Sequence, residues 1–253
     1  MKLALLPALR IQRELLELPP GKARFDRYLA AMLDGNSVRL PLQSFNPMSK
    51  AHVAELLDHL LASGAEAVAA DALREAEARL TASPLELHFC LVVVDDLKGG
   101  WTHRHFNDMG HRFDGAADAG RSFLTGFLWS SEKADSLDVR EETLACAYRA
   151  AHAARFGWPS SLAERLLQEA RTLRFAAARG PLLEPEDLDY SRGVLAPHLS
   201  STHPPVVFTC LYGDSAARSV GYPPLGLSAW AGLAVARADG LAAPEPPERA
   251  LAG

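Results

Sequence analysis

Cysteine is scarce in this 253-residue chain: Cys90, Cys146 and Cys210 stand far apart, with no CxxC pair. That spacing speaks against a cysteine-rich zinc framework and against a disulfide-stapled fold. Long hydrophobic runs are missing too, since no apolar stretch approaches the roughly 20 residues a membrane helix needs. The short apolar start is interrupted by Pro7, followed by Arg10, and offers no small-residue cleavage site. It does not read as a signal peptide, so the expected compartment is the cytoplasm and no membrane partner is expected. A basic surplus is absent: 26 Lys and Arg against 31 Asp and Glu leave a net charge of -5. That balance argues against nucleic acid as a partner, because such binding wants a basic face. Gly99-Gly100 has no GxGxxG or GxxxxGK[ST] context, which removes Rossmann and P-loop nucleotide binding. No GxSxG elbow supports a serine nucleophile, and no HExxH or helical ExxH supports a zincin or a simple di-iron bundle.

What is present is an ordinary globular composition, 48% hydrophobic and 23% charged, enough for a sizeable core. Helical spacing runs over Leu9 to Leu18 and Lys22 to Leu33, split by Pro19-Pro20-Gly21. Further helices are expected after Ser49 up to Gly64, and from Glu66 to Leu80. A long amphipathic helix opens at Ser136 and stops at Gly157. The Ser161/Glu164 capping box starts another helix, and a last one runs from near Ser228 to Gly240.

Leu85 to Val94 is the best strand, almost continuously apolar and so suited to burial on both faces. Arg121 to Trp129, with a short helix as the alternative, and Pro205 to Leu211 are further strand candidates, and Val38 to Leu42 a short edge strand. Glu184 to Tyr190 reads as a loop with one helical turn. The expected fold is a helix-rich α+β protein with a small, mostly buried sheet of about three strands surrounded by helices. The expected organisation is a helical N-terminal part (1–84), an α+β core carrying the site (85–240) and a disordered tail (241–253).

The chemistry concentrates just after the best strand. His103, His105 and His111 fall within nine residues, with Asp108 between them. In an extended chain His103 and His105 point to one side, and Gly110 could fold His111 back towards them. Three histidines, or two and Asp108, leave open positions for water or substrate, the donor pattern of catalytic zinc and non-haem iron. Arg104 and Arg112 interleave with these donors, so an anion-binding or plain polar loop is the competing reading. Asp95 and Asp96 end the strand, where ligands collect in open α/β sheets, and are candidates to orient a metal-bound histidine. Glu141, Tyr148 and His152 share one face of the long helix, which makes Glu141 and Tyr148 candidate acid/base groups.

Cys90 and Cys146 read as buried core residues. His88 reads as a core histidine, and His198 and His203 as loop residues. The function expected is therefore a metal-dependent enzyme, with zinc-activated water or iron chemistry acting on a small molecule or peptide. The alternative is a non-catalytic helical binding or assembly module whose His/Arg-rich segment is an interaction surface.

Overall fold

A computed structural model describes residues 1–35, 37–97, 102–114 and 122–252. Gly99, Gly100 and Trp101, part of the histidine segment's approach, lie outside the described residues. Three parallel strands, β1 (Lys2–Leu5), β4 (Glu86–Val94) and β5 (Phe123–Trp129), form a sheet in the order β1-β4-β5. A separate two-residue hairpin pairs β2 (Leu33–Asp34) with β3 (Ser37–Val38). Helices dominate the rest, so the chain is a helix-rich α+β protein with a small sheet.

β4 is central because its residues suit burial on both faces: Phe89 to Val94 are all fully buried. Its partner β1 is short, and the ladder ends where the Leu6 N–H donates to Phe89 O at 2.7 Å. Beyond that point a side chain takes over the edge. Buried Gln12 donates from Nε2 to Leu91 O (2.8 Å) and accepts from the Val93 N–H (2.9 Å). Those two β4 groups would otherwise be buried without partners, at a cost of about 1–3 kcal/mol each. Gln12 belongs to α1 (Leu9–Leu15), which packs on β4.

Between β1 and β4 the chain also forms α2 (Lys22–Met32), α3 (Ala51–Ala62) and α4 (Ala65–Arg79). α4 packs against β1 and against α6 (Ser136–Phe156), which in turn lies on β5. Asp135 caps α6 in a capping box with Asp138, and Ser161 does the same with Glu164 for α7 (Leu162–Phe175). Since β1 comes from the first 84 residues, the sheet draws on both halves of the sequence.

A second core gathers α8 (Pro185–Leu195), α9 (Pro204–Ser219) and α10 (Ala231–Ala242), together with Phe113 at the end of α5 (Arg104–Phe113). α7 and α10 meet backbone to backbone: a Cβ on Gly240 would lie 2.1 Å from Ala170 O. Gly213 breaks α9 at φ +82, where a Cβ would meet Ser228 O at 2.0 Å.

Five local expectations are corrected. Of the edge strand expected over Val38 to Leu42, only Val38 lies in a strand, at the end of β3. Pro205 to Leu211 is not a strand but part of α9. Its β-branched and aromatic residues are buried without interruption from Val207 to Asp214, so no amphipathic period marks the helix. Glu184 to Tyr190 belongs to α8, with Pro185 in the first turn, where its missing N–H costs nothing. Lys2 to Leu5, read only as a short apolar start, is β1. The tail is anchored: α11 (Arg249–Ala252) buries Leu251, Glu248 pairs with Arg79 at 2.7 Å, and Pro247 O accepts from Tyr148. No described helix is long and apolar enough to cross a membrane.

Candidate functional site

The histidine segment is helical, not extended. His103 caps α5 with its side chain, and its own N–H donates to Asn107 Oδ1 at 3.1 Å. Gly110 sits inside that helix and makes no reversal. The His103 ring, at the N-cap, stands 6.0 Å from that of His105, but His111 lies further along α5 and turns to another partner.

His103 reaches Ser219 (3.4 Å to its hydroxyl). His105 is enclosed by Phe208, Tyr212 and Trp230, with ring centroids 6.2, 5.2 and 5.0 Å away. Burial there pushes the His105 imidazole below its ordinary value and so favours the neutral ring. His111 stacks on Phe127 at 4.0 Å and turns towards α6. The trio His103, His105 and His111 is therefore not gathered on one point.

Asp108 is also engaged elsewhere. It accepts from Arg112 Nε (2.6 Å) and from the Tyr212 hydroxyl (2.9 Å). Burial alone would raise its carboxyl, but Arg112, with Arg104 and Arg149 beyond, holds it below the usual range. Arg112 continues to Glu169 (2.6 Å), and Arg149 grips Glu169 through Nε (2.8 Å) and Nη2 (2.9 Å). This buried chain explains why the two arginines could not be judged from sequence: Arg112 is spent on neighbouring acids.

The end of β4 forms a separate cluster. Asp95 Oδ1 receives His52 Nε2 (2.8 Å), Ser130 Oγ (3.0 Å) and the Leu97 N–H (3.2 Å). Asp96 accepts from Ser130 and Ser131 hydroxyls (3.1 and 2.6 Å), from the Ser131 N–H (2.9 Å) and from Arg104 (3.3 Å). Arg104 lies over the Trp129 ring at 4.1 Å. These acids tie the strand end to the β5 turn and to α3, and neither is hydrogen-bonded to His103, His105 or His111.

On α6, Glu141 is held at the rim by Arg179 (2.6 Å). Tyr148 is fully buried, its hydroxyl donating to Pro247 O at 2.8 Å and its pKa raised by burial. It packs at a tilt on Phe175 and does not share a cavity with Glu141. The acid/base pairing expected of Glu141 and Tyr148 is thus not assembled.

Among the described residues one group of three potential metal donors converges: His111, Glu142 and Cys146. Glu142 Oε1 lies 2.7 Å from His111 Nε2, 3.4 Å from Cys146 Sγ and 3.0 Å from the donating Phe127 N–H. Cys146 Sγ is 3.6 Å from His111 Nε2. Burial pushes Glu142 up, but His111, Arg149 and the Phe127 N–H outweigh it and hold the carboxyl at about 2. Burial and the adjacent Glu142 carboxylate keep the Cys146 thiol well above its ordinary pKa.

The donor distances suit a small ion. Around a tetrahedral zinc, donor atoms lie about 3.3–3.6 Å apart, as the two contacts to sulfur already do. The His111–Glu142 contact is a hydrogen bond that would open by roughly 0.6–0.7 Å to admit the ion.

Two cavities flank this group along α6. A polar cleft of about 510 Å³ is walled by Glu142, Arg149, Asp108, Arg112, Arg104 and Trp129, among others. A second cavity of about 250 Å³ is mostly apolar, with His111, Cys146 and Arg149 on its polar side.

Sequence reasoning missed Glu142 and Arg149 and took Cys146 for core. The available signal was their spacing: residues 142, 146 and 149 follow i, i+4, i+7 and share one helix face. Compared with protein-family models, curated proteins and solved structures, the chain matches none of them.

Proposed function

We propose that this protein is a metal-dependent enzyme acting on a small molecule, with His111, Glu142 and Cys146 as the metal donors. The observation that carries this reading is the convergence of a nitrogen, an oxygen and a sulfur donor between two cavities. Three protein donors leave the fourth position of a tetrahedral ion for water or substrate, as catalytic zinc requires. Such an ion supplies a polarised oxygen or an activated water near neutral pH.

The chain's own groups support that role. Glu142 is already ionised, and the Phe127 N–H fixes its reacting oxygen. The Cys146 proton must leave when metal enters, so uptake should weaken as pH falls. The cleft admits a substrate from the Arg104, Arg112 and Trp129 side.

The test is metal content, measured by mass spectrometry on protein purified without a His-tag and again after reconstitution with zinc or iron(II). About one ion per chain is expected for the wild type and a clear loss for Glu142→Gln. Wild type that takes up no metal would remove this reading and leave the non-catalytic binding module.

A further inference from the structure

The apolar cavity carries one feature that a void among core side chains does not need. Leu85, Leu87, Leu124, Ala150, Ala153 and Trp158 make most of its wall. Its polar side holds Arg149, whose side chain is only 5% exposed. Arg149 uses Nε and Nη2 on Glu169, and its Nη1 is buried with no hydrogen-bond partner. Two N–H donors of a permanent cation are thus left unmade at the boundary of an apolar space, which is costly unless something accepts them.

The nearby acids do not reach Arg149 Nη1. Glu169 is bound to Arg149 and Arg112, and the Glu142 Oε1 atom collects His111, Phe127 and Cys146. Arg149 also lines the cleft, so this one residue borders both spaces, on the same helix as the donors Glu142 and Cys146.

We infer that the substrate is an amphipathic carboxylate, with its short apolar tail in the 250 Å³ cavity and its carboxylate on Arg149 Nη1. The tail removes apolar wall from water, and the carboxylate supplies the missing charge-assisted acceptor. Its carbon next to the carboxylate then lies beside His111 and Cys146. This deepens the proposed function and rests on it for the reacting centre, but not for binding itself.

The test is calorimetric titration of metal-stripped protein with hexanoate and with 1-hexanol, which share the tail and differ in the head. Hexanoate should bind, and hexanol about tenfold more weakly, the worth of a hydrogen bond to a charged group. Arg149→Lys keeps a cation for Glu169 but loses Nη1, and should abolish that preference. Ala153→Phe fills the apolar cavity without touching the charged chain, and should abolish binding of both. No hexanoate binding, equal binding of the two ligands by the wild type, or hexanoate binding undisturbed by Ala153→Phe overturns the inference. Repeating the titration with zinc separates the two claims. Zinc uptake without hexanoate binding removes only the substrate class, and hexanoate binding without zinc uptake removes only the metal reading.

Discussion

Two acidic clusters lie close in this fold and differ in which donor atoms they bring together. At the end of β4, Asp95 and Asp96 are wrapped by His52, Ser130, Ser131, Arg104 and backbone N–H groups. Those contacts bind two strand ends and a helix together. On the α5–α6 face, Glu142 gathers His111 and Cys146 onto one oxygen, while Arg149 beside it retains an unmade pair of donors. Both keep buried donors without a hydrogen-bond partner, His52 Nδ1 and Arg104 Nε in the first and Arg149 Nη1 in the second, but among the described residues only the second brings a nitrogen, an oxygen and a sulfur donor onto one point. Convergence of different donor atoms, more than density of polar residues or unmade hydrogen bonds, marks the candidate site.

The largest expected effect breaks the support of the second cluster. Glu169 is fully buried and is the counter-ion of both Arg112 and Arg149. Glu169→Gln should cost about 3–5 kcal/mol in urea unfolding, because two buried cations lose their partner charge. A cost no larger than that of Asp96→Asn would erase the contrast between the clusters.

A pH effect comes next, on the same helix. Burial first, and then Arg171, pushes buried His152 from 6.5 down to about 4. The depressed folded value means that this contribution is complete above pH 6.5 and is lost as pH falls towards 4, about 3 kcal/mol in all. Glu142 and Glu169, held at about 2, add a further loss between pH 4.5 and 2. Unfolding free energy measured from pH 7 to 3 should fall in that order, and His152→Phe should flatten the upper part. A flat wild-type profile between pH 6.5 and 4 would contradict the assignment.

The smallest effect sharpens the comparison. Asp96→Asn should cost about 1–2 kcal/mol, since its partners include exposed hydroxyls and a cation that Glu132 also holds at 2.6 Å. It should leave metal content unchanged. Loss of metal in Asp96→Asn would place the strand end inside the site.

Much of the architecture was legible in the sequence for physical reasons. The β4 run had no alternative to burial on both faces, and the Ser161/Glu164 box and the start at Ser136 follow from capping chemistry. α9 was not legible, because burial all round erases the period that separates a helix from a strand. The site was half legible. His111 belongs to the proposed donor group, while His103, His105 and Asp108 turn to other partners, because a period of two does not hold along a helix. Cys146 was passed over because a buried cysteine among alanines is usually core, and only the fold shows that His111 and Glu142 meet it.

The central claim is that His111, Glu142 and Cys146 hold one ion together. Cobalt(II) titration followed by absorption tests it directly, because a cysteine ligand produces a thiolate-to-metal charge-transfer band. The account predicts that band at about one equivalent of cobalt in the wild type, its loss in Cys146→Ser, and weakened binding in His111→Asn. A wild type without the band, or a band that survives Cys146→Ser, would contradict it.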